Sequence, residues 1–158
     1  MGVSGCGKST IGKKLAEALQ IPFFDGDDFH PESNIRKMAS GQALNDADRM
    51  GWLARLNALT AEQLQNNSLV ISCSALKEKD RQILSKGVEQ NCQWIYLKGN
   101  FDTIAMRVNK RSGHFMPEKL LQSQFDILEE PAYGIIIDID LTPTEIIHTL
   151  LNQLEYER

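Results

Sequence analysis

Apolar residues along this chain fall into two rhythms. Over residues 8–20, Ile11, Leu15, Ala16, Ala18 and Leu19 recur at the spacing of one helical face, and Pro22 stops the run. Leu53, Leu56, Leu59 and the pair Gln63/Leu64 predict a longer helix over 46–66, with Asn45 as its N-cap. Further helices are expected over 31–39, 76–85, 101–110 and 118–129, with Ser40-Gly41, Gly87 and Pro131 as breakers. Thr142, Pro143 and Glu145 read as the start of a capped C-terminal helix. The second rhythm is a set of short apolar runs at 21–25, 69–71, 94–97 and 135–137, each the length of a buried strand. Helix and strand alternate with short connections, which predicts a parallel α/β sheet. Residues 112–117 break both rhythms as an irregular, glycine-containing loop.

Composition narrows the class. At 158 residues the chain reads as one domain, 1–158, able to bury roughly two thirds of its unfolded surface. A hydrophobic content of 42% with 24% charged residues is that of an ordinary globular protein. No apolar run approaches the ~20 residues of a membrane span, so no membrane partner is expected. A net charge of −4 argues against a surface that coats nucleic acid. The three cysteines, Cys6, Cys73 and Cys92, have no C-x-x-C spacing, which speaks against a zinc site or a disulfide framework and suits a reducing cytoplasm.

Chemistry enters at the first residues. Gly2-Val3-Ser4-Gly5-Cys6-Gly7-Lys8-Ser9 is a full match to the phosphate-binding pattern G-x-x-x-x-G-K-S/T. Its glycines let the backbone form a nest of N–H groups, and the following helix turns its positive end to the same anion. Gly2, Ser4, Gly5, Cys6, Gly7, Lys8, Ser9 and Thr10 are therefore expected around the phosphates of ATP. Lys8 supplies a cation for the β- and γ-phosphates, and the Ser9 hydroxyl is of the type that ligates Mg²⁺. Cys6 reads as a tolerated small residue rather than a reactive thiol. The pattern usually ends a buried strand, yet only Met1 precedes Gly2; numbering from an internal methionine is the expected reason.

Three polar clusters stand at strand ends, where open parallel sheets bind ligands. In Asp25-Gly26-Asp27-Asp28-Phe29-His30, one carboxylate could hold Mg²⁺ and another could accept a hydrogen bond from an attacking hydroxyl. Asp25 and Asp27 carry that expectation; Asp28 reads as well as a helix cap, and His30 as either a substrate contact or a structural residue. Ser72-Cys73-Ser74-Ala75-Leu76-Lys77 is small and hydroxylic, leaving room for a substrate. Lys77 and Arg81, spaced i, i+4, could hold an anion or form a solvated face. Arg107 and Arg111, again i, i+4, flank the 112–117 loop with His114. They suit a lid that covers adenine and neutralises phosphoryl charge, with Phe115 and Met116 packing it.

With NIRKMASG at 34–41, LNDADRMGWL at 44–53, YLKG at 96–99, RSGHFM at 111–116, SQF at 123–125 and LEEP at 128–131, these residues resemble the bacterial gluconokinases over nearly the whole chain. That resemblance implies a three-layer αβα P-loop fold, like that of the nucleoside-monophosphate and shikimate kinases, with a lid at about 111–118. It implies ATP-dependent phosphorylation of D-gluconate at the 6-hydroxyl, with Mg²⁺, by a cytoplasmic homodimer. Lys8, Asp27 and Arg111 become the catalytic candidates, with Asp27 orienting the acceptor hydroxyl, and Ser9 and Asp25 serve the metal. Arg107 and Arg111 serve the nucleotide. His30, Lys77, Arg81, His114 and Gln124 are candidates for the sugar acid, with Asn45 and Asp46 weaker ones. Shikimate kinases are the nearest rivals, but they carry a glycine run where this chain has Ser72-Cys73-Ser74-Ala75. A nucleotide-dependent binding module without transfer activity is the other rival, and Asp27 argues against it.

Overall fold

The structure is a computed structural model that describes residues 1–110 and 118–156. Its elements run α1 (Lys8–Leu19), β1 (Phe23–Asp25), a 3-10 turn (Gly26–Phe29), α2 (Glu32–Ala39), α3 (Asp46–Gln63) and β2 (Val70–Ser72). There follow α4 (Glu78–Ser85), a second 3-10 turn (Glu89–Asn91), β3 (Ile95–Lys98), α5 (Phe101–Lys110), α6 (Glu118–Ile127), β4 (Ile135–Asp138) and α7 (Pro143–Tyr156).

The caps explain where two helices begin. Asn45 accepts the Asp48 N–H at 2.9 Å while Asp48 accepts the Asn45 N–H at 2.8 Å, a reciprocal box that starts α3. Thr142 and Glu145 do the same for α7, at 2.8 and 3.3 Å. Most bounds shift by one to three residues from the sequence expectation, and two differences bear on the site. Helix α4 starts at Glu78 rather than at residue 76, because Lys77 is extended and serves as the N-cap, following a left-handed Ala75 at φ 44°. The acidic segment after β1 is a 3-10 turn, capped by Asp25 through the Asp27 N–H.

The four strands pair as two parallel couples. Phe23 lies opposite Val70 and Asp25 opposite Ser72 in β1–β2; Ile95 lies opposite Ile135 and Lys98 opposite Asp138 in β3–β4. Successive strand residues face opposite sides. Val70 and Ile95 accordingly pack on a core built from Ile11, Leu15, Leu97, Ile104, Ile137 and Leu150. Their neighbours Ile71 and Trp94 pack on a second core around Trp52, Leu53, Leu56 and Leu84. Helices thus cover both faces, α1 with α7 on one and α3 with α4 on the other.

Between β2 and β3 runs an open slot. Met1 and Gly2 together bridge it: the Met1 amine donates to the Ile95 carbonyl at 2.5 Å, the Met1 carbonyl accepts the Leu97 N–H at 3.0 Å, and Gly2 N–H donates to Ser74 O at 3.1 Å. Beside this bridge a cavity of ≈ 460 Å³ is lined by Ile11, Leu15, Val70, Ile71, Ile95 and Leu97.

Candidate active site

The phosphate loop is shaped by close approaches that only glycine allows. Gly5 takes φ 84°, and a Cβ there would come within 2.5 Å of Val108 on α5. The loop ends at Gly7, the N-cap of α1, which offers no capping side chain, and the first turn of α1 holds no acidic residue. The free N–H groups and the positive end of α1 are left for an external anion. Lys8 rests with its Nζ 3.0 Å from the Val3 carbonyl, inside the loop it serves.

The acidic turn meets this loop directly. Ser9 Oγ donates to Asp25 Oδ2 at 2.5 Å, and the other oxygen of Asp25 accepts from Ser72 Oγ at 3.0 Å and from the Asp27 N–H at 3.2 Å. Three segments distant in sequence therefore converge on one carboxylate at the carboxyl ends of β1 and β2. Burial alone would raise the pKa of Asp25, but these hydrogen bonds prevail and hold it below the usual carboxylate range. Asp27 points outward, with its side chain 72% exposed, and lies 3.9 Å from His30 Nε2.

His30 is a wall of this site more than a free contact. It is buried, stacked on Trp52 with ring centroids 4.0 Å apart, and within 3.4 Å of the Asn34 amide. Burial lowers its pKa against the opposing pull of Asp27, so the ring is neutral at pH 7. Trp52 is fixed in turn by its indole N–H, which donates to Gly26 O at 2.7 Å.

Lys77 and Arg81 go separate ways. Lys77 donates to Asp46 at 3.0 Å, where Lys79 and Arg49 also converge. Lys79 and then Lys77 hold Asp46 down to about 2. Arg81 turns inward and is 2% exposed. It donates to the carbonyls of Ala75 at 2.9 Å, Leu76 at 3.3 Å and Glu129 at 3.0 Å, and pairs with Glu78 at 2.8 Å and Tyr133 at 3.0 Å. Every one of its nitrogens is engaged by the protein, so it braces the β2–α4 loop. Arg107 donates to Ile139 O at 2.6 Å, just past β4, and remains partly exposed. Gln124 reaches the phosphate loop at Ser4. Thr10 is exposed on the first turn of α1. Arg111, His114 and the rest of the expected lid loop lie outside the described residues.

Sequence reasoning did not single out Trp52, Asn34 or Arg49. The i, i+3 spacing of Asp46 and Arg49 on a helix was the available signal for the last. Trp52 and Asn34 carried none, since their roles come from packing across elements.

A family model described as shikimate kinase matches residues 4–155. A thermoresistant gluconokinase of Escherichia coli (strain K12) is 47% identical over 145 residues, covering 89% of this chain and 82% of that protein. The thermosensitive gluconokinase of the same strain is 44% identical over 156 residues, covering 98% and 81%. The chain belongs to the gluconokinase family. The shikimate kinase model and the gluconokinase relatives agree on a P-loop kinase. A crystal structure of a gluconokinase from Sinorhizobium meliloti 1021 superposes with a TM-score of 0.85 at 38% identity, covering 99% of this chain and 94% of that one. The fold is thus that of the P-loop kinases, and gluconokinase membership makes the protein a phosphotransferase.

Proposed function

We propose that the protein transfers the γ-phosphoryl group of ATP to the 6-hydroxyl of D-gluconate, forming ADP and 6-phospho-D-gluconate. The observation that carries this reading is the Ser9–Asp25–Ser72 junction, which joins the phosphate loop to the acidic turn in one cleft. The loop amides and Lys8 hold the phosphates, and Asp27 accepts the hydrogen bond of the attacking hydroxyl and orients it. Phosphoryl transfer asks mainly for positioning and charge neutralisation, which suits a site built from amides, one lysine and short carboxylates. His30, held neutral against Trp52, shapes the acceptor side. Lys77 is the proposed partner of the sugar-acid carboxylate, and Arg81 serves it indirectly by bracing Ala75 and Leu76.

Mg²⁺ fits the residues present. Among the described residues no group of three His, Cys, Asp or Glu side chains forms a closed metal cage. A hydroxyl beside an ionised carboxylate matches a hard cation that keeps its waters and takes other ligands from phosphates. Ser9 and Asp25 would hold the ion, and it would supply neutralisation of phosphate charge. We place this activity in the cytoplasm, which fits three free thiols, and in a homodimer, as the family resemblance implies.

The deciding assay follows ADP release with D-gluconate, shikimate and related sugar acids in turn. Strong stimulation by D-gluconate alone is expected. Release stimulated by shikimate instead, or by no acceptor while ATP still binds, overturns the reading.

A further inference from the structure

We infer that Gln124 is a positioning residue for Lys8, acting through a single peptide plane of the phosphate loop; the inference rests on the reading of that loop as an ATP site. Gln124 lies on α6, which is anchored by the buried Leu121 and by Phe125 set edge-on to Phe101 at 5.5 Å. Its Oε1 accepts the Ser4 N–H at 2.7 Å, and its Nε2 donates to Ser4 Oγ at 3.1 Å. The Ser4 N–H belongs to the same peptide unit as the Val3 carbonyl. That carbonyl is the acceptor on which the Lys8 ammonium rests at 3.0 Å.

The three groups form a chain: the carboxamide of Gln124, the Val3–Ser4 amide and the Lys8 ammonium. Amides polarised at both ends bind more strongly at each end, so the two contacts reinforce one another. The plane needs such a hold. It turns about Val3 ψ and Ser4 φ, in a segment bounded by Gly2 and Gly5 at φ 142° and 84°, whose missing side chains leave the surrounding backbone few steric restraints of its own. A turn of that plane would aim its N–H, rather than its C=O, at Lys8 and displace the cation from the loop. Gln124 removes that freedom by gripping Ser4 at two atoms, from a helix 120 residues further along the chain.

The test uses Gln124→Met, close in size and lacking both polar atoms, and Gln124→Asn, which keeps the amide but shortens its reach. In nucleotide-free protein, amide exchange at Ser4 should be slow in the wild type and faster in both variants. This arm does not depend on ATP or on any acceptor. Affinity for a non-hydrolysable ATP analogue, by calorimetry, should weaken on the order of 10-fold, as expected for losing one to two hydrogen bonds. The KM for ATP should rise in step, while the KM for D-gluconate at saturating ATP stays unchanged. A general loss of packing would not separate the two substrates in this way. Unchanged analogue affinity in either folded variant overturns the inference, as does a rise confined to the gluconate KM, which would make Gln124 a direct substrate contact. Failure of the wild type to bind the analogue would instead sink the ATP reading, leaving the Ser4 exchange to report on the peptide plane.

Discussion

At the scale of single residues, the neighbouring carboxylates Asp25 and Asp27 are separated by environment. Asp25 is tied by Ser9, Ser72 and a backbone amide, while the Asp27 side chain points outward and stays largely exposed. The tied one is suited to a fixed charge and the free one to meeting a substrate hydroxyl. Asp27→Asn should therefore lower kcat by roughly 10²–10⁴-fold, the usual share of a positioned acid–base group, with the KM for ATP little changed. Steady-state kinetics with gluconate checks this, and wild-type turnover in the variant would remove Asp27 from the reaction. His30 gives a second residue-scale expectation. Its folded pKa lies below the unfolded value near 6.5, so the unfolded chain binds more protons in between. Stability from the neutral ring is complete above about pH 6.5 and declines as pH falls through the folded pKa. Denaturation midpoints across pH 5–8, flatter for His30→Gln than for the wild type, are the expected observation.

At the scale of elements, the residues that resisted reading from sequence are those whose partners come from elsewhere. The helices over Lys8–Leu19, Asp46–Gln63 and Phe101–Lys110 were legible because apolar spacing and caps are local signals. The phosphate loop and the acidic turn were legible as motifs, and so was their meeting at the strand ends. Arg81 was not: its i, i+4 spacing from Lys77 suggested a shared helical face, but Lys77 is the extended N-cap of α4 and stands outside the helix. Spacing arguments fail wherever a helix starts late. Arg81→Met would strand the carbonyls of Ala75, Leu76 and Glu129 and should cost about 3 kcal/mol, as breaking a buried charged network does. The melting temperature should drop on the order of 10 °C in a domain of this size. A raised gluconate KM without any loss of stability would instead return Arg81 to the substrate.

At the scale of the whole molecule, the sheet is two couples held together across the slot by Met1 and Gly2. The facing edges of β2 and β3 are not paired with each other, and a cavity of ≈ 460 Å³ lies beside them, a costly arrangement. An apolar extended segment of about five residues fused ahead of Met1 has the length of an ordinary strand and should raise the melting temperature. A proline-bearing segment of equal length, unable to donate to the ladder, should not. Equal melting of the two fusions would show that the slot does not accept a strand.

The grip of α6 on Ser4 also ties the phosphate cradle to a helix from the far end of the chain. Bound ATP should act as a clasp on that junction, raising the melting temperature as its concentration rises.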